Sequence, residues 1–221
     1  MKKHNKLNVG CGQEPTPGFD RLDIDPRCGD LNYCCSMTDM DLVEDDIYKE
    51  VHLVHSLEHV SWWEISDVLS ECFRILKLDG KIVIETPNLK YICETYLKGD
   101  FADYKKMKET EQERIKIDGI PSPTLCANFK IFSSTIDMDV HYSMLDWDLL
   151  NKSLVKAGFI DIELVNNNLT LVVHAKKPGN GGAKDQRISE ERKKRYNSVI
   201  GDEKIKKPKN FFSIFNWFGE K

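Results

Sequence analysis

The stretch Leu7-Asn8-Val9-Gly10-Cys11-Gly12 decides the predicted fold, because in it a short apolar strand runs directly into a glycine turn. Gly10 and Gly12 lack a Cβ atom, so the backbone there can adopt positive φ and approach a ligand closely. Open α/β sheets bind nucleotides outside the carboxyl ends of their strands, where such turns lie. A glycine pair alone is more often an ordinary turn, so the prediction of a ligand-binding turn depends on the segments that follow.

The segments that follow predict an α/β fold with a late antiparallel pair of strands. Pro15 and Pro17 leave little room for a helix after the glycine turn. Ser61 and Glu64 have capping-box spacing, which predicts the start of an amphipathic helix. Elsewhere the sequence predicts strands at 19–24, 50–55 and 81–85, a charged helix at 89–118, irregular chain at 124–145, a helix at 146–157, and a hairpin of strands at 159–165 and 169–175.

The composition favours a cytoplasmic protein with one main domain. The chain of 221 residues is long enough for one sizeable core, and no apolar run approaches the ~20 residues that cross a bilayer. Its first five residues lead into a strand and not into the apolar core of a signal peptide. Seven cysteines without a Cys-x-x-Cys pair indicate reduced thiols, and no spacing of His, Cys, Asp or Glu indicates a metal site, so we expect no metal.

Charge is distributed unevenly along the chain. Residues 176–221 contain 13 Lys and Arg against 6 Asp and Glu, whereas residues 1–175 contain 19 against 30. The acidic body disfavours nucleic acid as a partner, because such binding depends on neutralising phosphates. We expect 178–221 to form a flexible basic tail whose aromatic end, 205–221, docks on this protein's own surface or contacts another protein or a membrane surface.

Several motifs together resemble class I S-adenosylmethionine-dependent methyltransferases. They are the glycine turn, the segment 19–26, Ser56-Leu57-Glu58-His59-Val60, and the run 73–88, which contains Phe73-Arg74-Ile75-Leu76-Lys77-Leu78-Asp79-Gly80 and Thr86-Pro87-Asn88. The chain looks most like the short type associated with polysaccharide or small-molecule modification. The resemblance implies a Rossmann-like sheet that is mostly parallel, with a C-terminal antiparallel hairpin strand and helices on both faces. It makes 1–177 the methyltransferase domain and 89–135 a substrate-side lid or insert.

The resemblance also implies S-adenosyl-L-methionine as cofactor. Gly10, Cys11 and Gly12 would lie against its methionine part. Asp23, with Asp25 as second choice, would accept both ribose hydroxyls, because a carboxylate offers acceptors for two O–H donors. A nicotinamide-dinucleotide turn is disfavoured, because the third glycine of that motif is absent and the acid comes too early.

Two later segments complete the implied cofactor site. Asp39 would accept from the adenine amino group or serve only as a turn residue, and Met40 would pack on the adenine ring. His55, Ser56 and Leu57 would line the methyl-donor pocket.

Three histidines are candidates for a general base, since an oxygen or nitrogen acceptor can require one. His141 is the first candidate, because it precedes the helix at 146–157 where the family places residues that face the substrate. His55 and His59 follow. Each of the three could instead be a structural histidine.

The expected function is transfer of a methyl group to a small-molecule or glycan acceptor, with a hydroxyl favoured. Two alternatives remain open on the sequence. One is a catalytically weak or inactive binding or scaffold protein with this fold, recruited through its C-terminal tail. The other is a nucleic-acid or protein methyltransferase.

Overall fold

The computed structural model describes residues 3–14, 16–99, 112, 116–117, 120–132 and 140–179. Seven strands form one sheet in the order β3-β2-β1-β4-β5-β9-β8, and a separate short hairpin is formed by β6 and β7. The strands are β1 (Lys6–Val9), β2 (Asp20–Asp23), β3 (Tyr33–Cys34), β4 (Tyr48–Val54), β5 (Leu76–Pro87), β6 (Lys116–Ile117), β7 (Ile120–Pro121), β8 (Ile160–Asn167) and β9 (Thr170–Lys176). The predicted tail lies outside the described residues from 180 onward.

The sheet is mostly parallel and ends in an antiparallel hairpin, which confirms the prediction. Strands β1 to β5 pair in parallel, while β9 lies between β5 and β8 and is antiparallel to both. From β1 the strand order runs outward in one direction through β2 and β3 and in the other through β4 and β5. This reversal makes the carboxyl end of β1 a topological switch point, where such sheets bind ligands.

The described residues include the helices α1 (Ile65–Ile75), α2 (Leu89–Lys98), α3 (Pro123–Phe132) and α4 (Trp147–Ala157). Helices α1 and α4 contact each other, and α2 contacts α3. The apolar positions of α1 recur at helical spacing and are buried, as are Leu150 and Leu154 of α4. Each such fully buried aliphatic side chain contributes about 1.5–3 kcal/mol to folding, so α1 and α4 form the core with the sheet strands.

The start of α1 differs from the predicted one. Residues 62–64 form a turn, and α1 begins at Ile65. The Glu64 carboxylate still accepts the backbone N–H of Ser61 at 3.1 Å, which is one half of a capping box. The helix ends at Ile75 because β5 begins at Leu76, whose carbonyl accepts a hydrogen bond from the buried Lys177 ammonium.

The region between β5 and β8 also departs from the sequence prediction. Helix α3 occupies 123–132, where irregular chain was predicted. Lys116–Ile117 pairs with Ile120–Pro121, so residues 116 and 117 do not belong to the predicted charged helix. In contrast, α4 agrees with the helix predicted at 146–157, and Asp146 caps its start by accepting the N–H of Leu149.

Three further expectations concern the connection between β1 and β2, the cysteines and membrane-spanning helices. The described residues between β1 and β2 contain no helix, as the prolines predicted. All seven cysteines are free thiols. Within the described part of the chain, no helix combines the length and apolarity needed to cross a membrane.

Candidate active site

The glycine turn (Gly10–Gly12) lies at the carboxyl end of β1, and its two glycines have different roles. Gly10 has φ +67°, and a Cβ atom there would lie 2.5 Å from Ser56 Cβ and 3.1 Å from Met37 Cε. Gly12 has φ +57°, and a Cβ atom there would meet nothing within 4 Å. Gly10 is therefore required by the packing of the protein itself, whereas Gly12 borders open space that a ligand can occupy.

Backbone contacts to β2 hold the glycine turn. The N–H groups of Gly10 and Cys11 both donate to the carbonyl of Leu22, at 2.9 and 3.1 Å. The Arg21 guanidinium donates from one nitrogen to the carbonyls of Gly12, at 2.7 Å, and Cys28, at 2.9 Å. Burial raises the pKa of the Cys11 thiol, so this side chain is uncharged at neutral pH.

Asp23, at the end of β2, lies directly beside the glycine turn. Its Oδ2 accepts the N–H of Gly12 at 2.8 Å, and its Oδ1 accepts the N–H of Asp25 at 2.9 Å. Each carboxylate oxygen keeps a second acceptor position for a ligand hydroxyl. Asp25 instead caps the short helical turn Pro26–Cys28 and forms an ion pair with Arg27. That pair holds the pKa of the half-buried Asp25 carboxyl below its usual value.

The segment after β3 does not expose Met40, which was predicted to pack on the adenine ring. Met40 is fully buried in the hydrophobic core, which leaves it no surface for contact with an adenine ring. Met37 is the methionine beside Gly10. Asp39 is exposed, and its N–H closes a turn onto the carbonyl of Ser36.

The residues after β4 bring the glycine turn into contact with a second group of side chains. His55 has a positive φ of 48°, uncommon for a residue with a Cβ atom, and its N–H donates to the Glu85 carbonyl. Ser56 is 2% exposed, and its Oγ has no hydrogen-bond partner in the described part of the chain. The Leu57 side chain is buried in the core, so it does not line a ligand pocket.

A cavity of about 380 Å³ lies next to these residues, and all three predicted histidines line it. We call it the histidine cavity; its lining consists of His55, Glu58, His59, Pro87, Phe129, Lys130, His141, Leu169 and Thr170. Phe129 and Lys130 belong to α3, inside the segment predicted to lie on the substrate side.

Glu58 organises one wall of the histidine cavity. Its side chain is fully buried. One carboxylate oxygen lies 3.2 Å from His55 Nδ1, and the other accepts the Thr86 hydroxyl at 3.2 Å. Its backbone carbonyl accepts the N–H groups of Tyr142 and Ser143, which ties the chain after His141 to the end of β4.

His59 and His141 face each other, with ring centroids 5.2 Å apart in an edge-to-face arrangement. Nδ1 of His59 lies 3.1 Å from the carbonyl of Val140, and Nδ1 of His141 lies 3.1 Å from the carbonyl of Ile131. A carbonyl only accepts, so both Nδ1 atoms carry a proton, and in the neutral form of each ring the lone pair lies on Nε2.

The surroundings shift the pKa values of two histidines in opposite directions. The hydrogen bond to Glu58 raises the pKa of His55. Burial lowers the pKa of His141, with Glu58 acting against that effect. At neutral pH His141 is therefore an uncharged imidazole.

The three histidines were predicted from the sequence, but the hydrogen bonds and ring contacts that hold them were not. Sequence reasoning gave no site role to Glu58, Thr86, Met37 or Lys130. It also predicted no metal site, whereas folding brings Glu58, His59 and His141 together. The spacing of the sequence holds no signal for this group, because His141 comes from a distant segment.

No protein-family model and no curated protein sequence matches the chain. Solved structures do match its fold. A methyltransferase dependent on S-adenosylmethionine from Methanosarcina mazei superposes with TM-score 0.50 and 15% identity over 79% of this chain and 92% of that one. A second, from Thermotoga maritima, has TM-score 0.50 and 12% identity over 80% of this chain and 83% of that one. A protein from Pyrococcus horikoshii has TM-score 0.50 and 18% identity over 80% of this chain and 84% of that one. The chain therefore has the fold of class I S-adenosylmethionine-dependent methyltransferases.

Proposed function

We propose that this protein is an S-adenosylmethionine-dependent methyltransferase whose acceptor binds in the histidine cavity. The observation that carries the proposal is the continuity of the two regions. Ser56 packs on Gly10 of the glycine turn, and Glu58 and His59, two and three residues later, line the cavity. A ligand held at the turn would therefore lie close to an acceptor in the cavity.

The residues around the glycine turn fit the cofactor. Open space beside Gly12, spare acceptor positions on Asp23 and the unpartnered hydroxyl of Ser56 all lie at this edge of the sheet. A buried hydroxyl without a hydrogen-bond partner lowers the stability of the folded protein, and a ligand that bonds to it would remove this cost. S-adenosylmethionine would supply a methyl group already activated on its sulfonium, so the protein mainly has to align the acceptor.

The histidine cavity suits a small acceptor with a removable proton, such as a hydroxyl. Its volume of about 380 Å³ falls in the range of small-molecule pockets. His141 is uncharged and holds its Nδ1 proton on the Ile131 carbonyl. Its Nε2 lone pair is therefore the group that could take the acceptor proton, or hold the acceptor in place.

Cofactor binding tests the first half of the proposal. Isothermal titration with S-adenosylhomocysteine should detect binding by the native protein, and Asp23→Ala should weaken it at least tenfold, a loss of about 1.4 kcal/mol. Asp25→Ala is the matched control, because its carboxylate is engaged with Arg27. No binding at high micromolar ligand, or equal losses in the two variants, would contradict the assigned site.

Methyl transfer tests the second half. Isotopically labelled S-adenosylmethionine, incubated with fractionated small-molecule and glycan extracts, should yield a labelled product by mass spectrometry. His141→Gln should reduce the yield about 100-fold if His141 acts as a base, while cofactor affinity stays unchanged. Cofactor binding without any labelled product from any extract would favour the scaffold alternative instead.

A further inference from the structure

We propose that Glu58, His59 and His141 bind a divalent transition-metal ion at the wall of the histidine cavity. One ligand atom from each of the three residues lies within 4.8 Å of the other two. Two imidazoles and one carboxylate are the ligand set of many catalytic zinc sites and of mononuclear iron sites with open coordination positions.

The separations are close to those of a bound ion. Ligand atoms that each lie about 2.1 Å from one zinc ion are about 3.5 Å apart. Because no two of these atoms are more than 4.8 Å apart, they have to approach one another by no more than about 1.3 Å, a shift that a small change of side-chain torsions supplies.

The surroundings orient each ligand as an established site would. Metal-binding histidines usually donate their other ring N–H to a carbonyl or carboxylate, which fixes the tautomer. His59 does so to the Val140 carbonyl, and His141 to the Ile131 carbonyl. Both Nε2 lone pairs are left for a metal ion. The Glu58 carboxylate is held in turn by Thr86 and His55.

Burial of Glu58 favours a cation at this position. A carboxylate removed from water is costly unless a compensating charge lies close to it. Glu58 is fully buried, yet its two described hydrogen bonds are both 3.2 Å long. The adjoining cavity leaves the remaining coordination positions of an ion open to a small ligand.

The role of the ion rests on the proposed function, but its binding does not. An acceptor hydroxyl bound to the ion would have a lowered pKa and would release its proton to water more readily. His141 would then act as a metal ligand and not as the base.

Cobalt binding tests the site directly. The untagged full chain, freed of metal with a chelator and with its accessible thiols alkylated, is titrated with Co²⁺ without cofactor or acceptor. We expect one ion per chain, visible ligand-field absorption, and displacement by Zn²⁺. His141→Gln and Glu58→Gln should each weaken Co²⁺ binding at least tenfold.

Controls separate a metal site from a structural role. His174→Gln alters a half-buried histidine of β9 outside the cavity and should bind Co²⁺ like the native chain. In the native chain Co²⁺ should produce paramagnetic shifts of the His59 and His141 ring signals and should raise the melting temperature. Circular dichroism identifies any variant that fails to fold, in which case the ring shifts of the native chain decide. Binding that the folded variants retain, absent ring shifts, or no stoichiometric binding would overturn the proposal. Because the titration omits the cofactor, its failure leaves the proposed methyl transfer untouched.

Discussion

The glycine turn and the histidine cavity adjoin each other, but they are built in different ways. The turn is held by backbone groups of two neighbouring strands, together with hydrogen bonds from the side chains of Asp23 and Arg21. The cavity is held by side chains that bond to one another and to carbonyls of distant segments. This difference shows that the glycine turn follows from strand order and backbone conformation, whereas the histidine cavity forms only when segments distant in sequence pack together.

The two glycines offer the strongest test of how the turn is built. Gly10→Ala should lower the free energy of unfolding by about 2–4 kcal/mol, because its strained φ adds to a clash with Ser56. Gly12→Ala should cost only the strain, about 1 kcal/mol. Urea unfolding measures both changes. Equal losses would contradict the distinction between a packing glycine and a ligand-facing glycine.

Thr86→Val probes the side-chain network of the histidine cavity. The change leaves one oxygen of the buried Glu58 without its donor and should cost about 1–2 kcal/mol in the free energy of unfolding. Thr95→Val is the matched control, because the Thr95 hydroxyl bonds only to carbonyls of its own helix among the described contacts. A control as destabilised as Thr86→Val would mean that the Glu58 contact contributes nothing specific.

Arg21→Lys tests the side chain that donates to the Gly12 carbonyl at the end of the turn. A lysine cannot reproduce the contact of one guanidinium with the carbonyls of Gly12 and Cys28. We expect a loss of about 1 kcal/mol in stability and a cofactor affinity reduced several-fold. Titration with S-adenosylhomocysteine and chemical denaturation measure the two effects, and an unchanged affinity would show that the turn does not need this contact.

Two histidines of the cavity should respond to pH with opposite signs, the smallest of these effects. The pKa of His55 is raised, so its contribution to stability is present below the unfolded value of about 6.5 and is lost as pH rises through the folded pKa. The pKa of His141 is lowered, so its contribution is present above the unfolded value and is lost as pH falls through the folded pKa. NMR titration of the metal-free native chain measures both pKa values directly. Comparing unfolding of His55→Gln and His141→Gln from pH 5 to 8 tests the linkage, and shifts of the same sign would contradict it.

The sequence by itself determined the features that depend on local backbone chemistry. Positive φ at Gly10 and Gly12, the Asp146 cap of α4 and the alternation in β8 and β9 are each set by a few neighbouring residues. The same holds for the helix-free connection after the turn, where prolines remove helical options. These signals, with the resemblance, were enough for a mostly parallel sheet that ends in an antiparallel hairpin and for Asp23 at the end of β2.

Only the tertiary structure decided which side chains meet. Met37 lies beside Gly10 and Met40 lies in the core because of how the segment after β3 packs against the rest of the protein. No local sequence pattern specifies that packing. Glu58 and His141 come together because the carbonyl of Glu58 binds the backbone of Tyr142 across a long separation in sequence. Such contacts arise from the summed packing of many residues, so the turn could be located from the sequence while the histidine cavity could not.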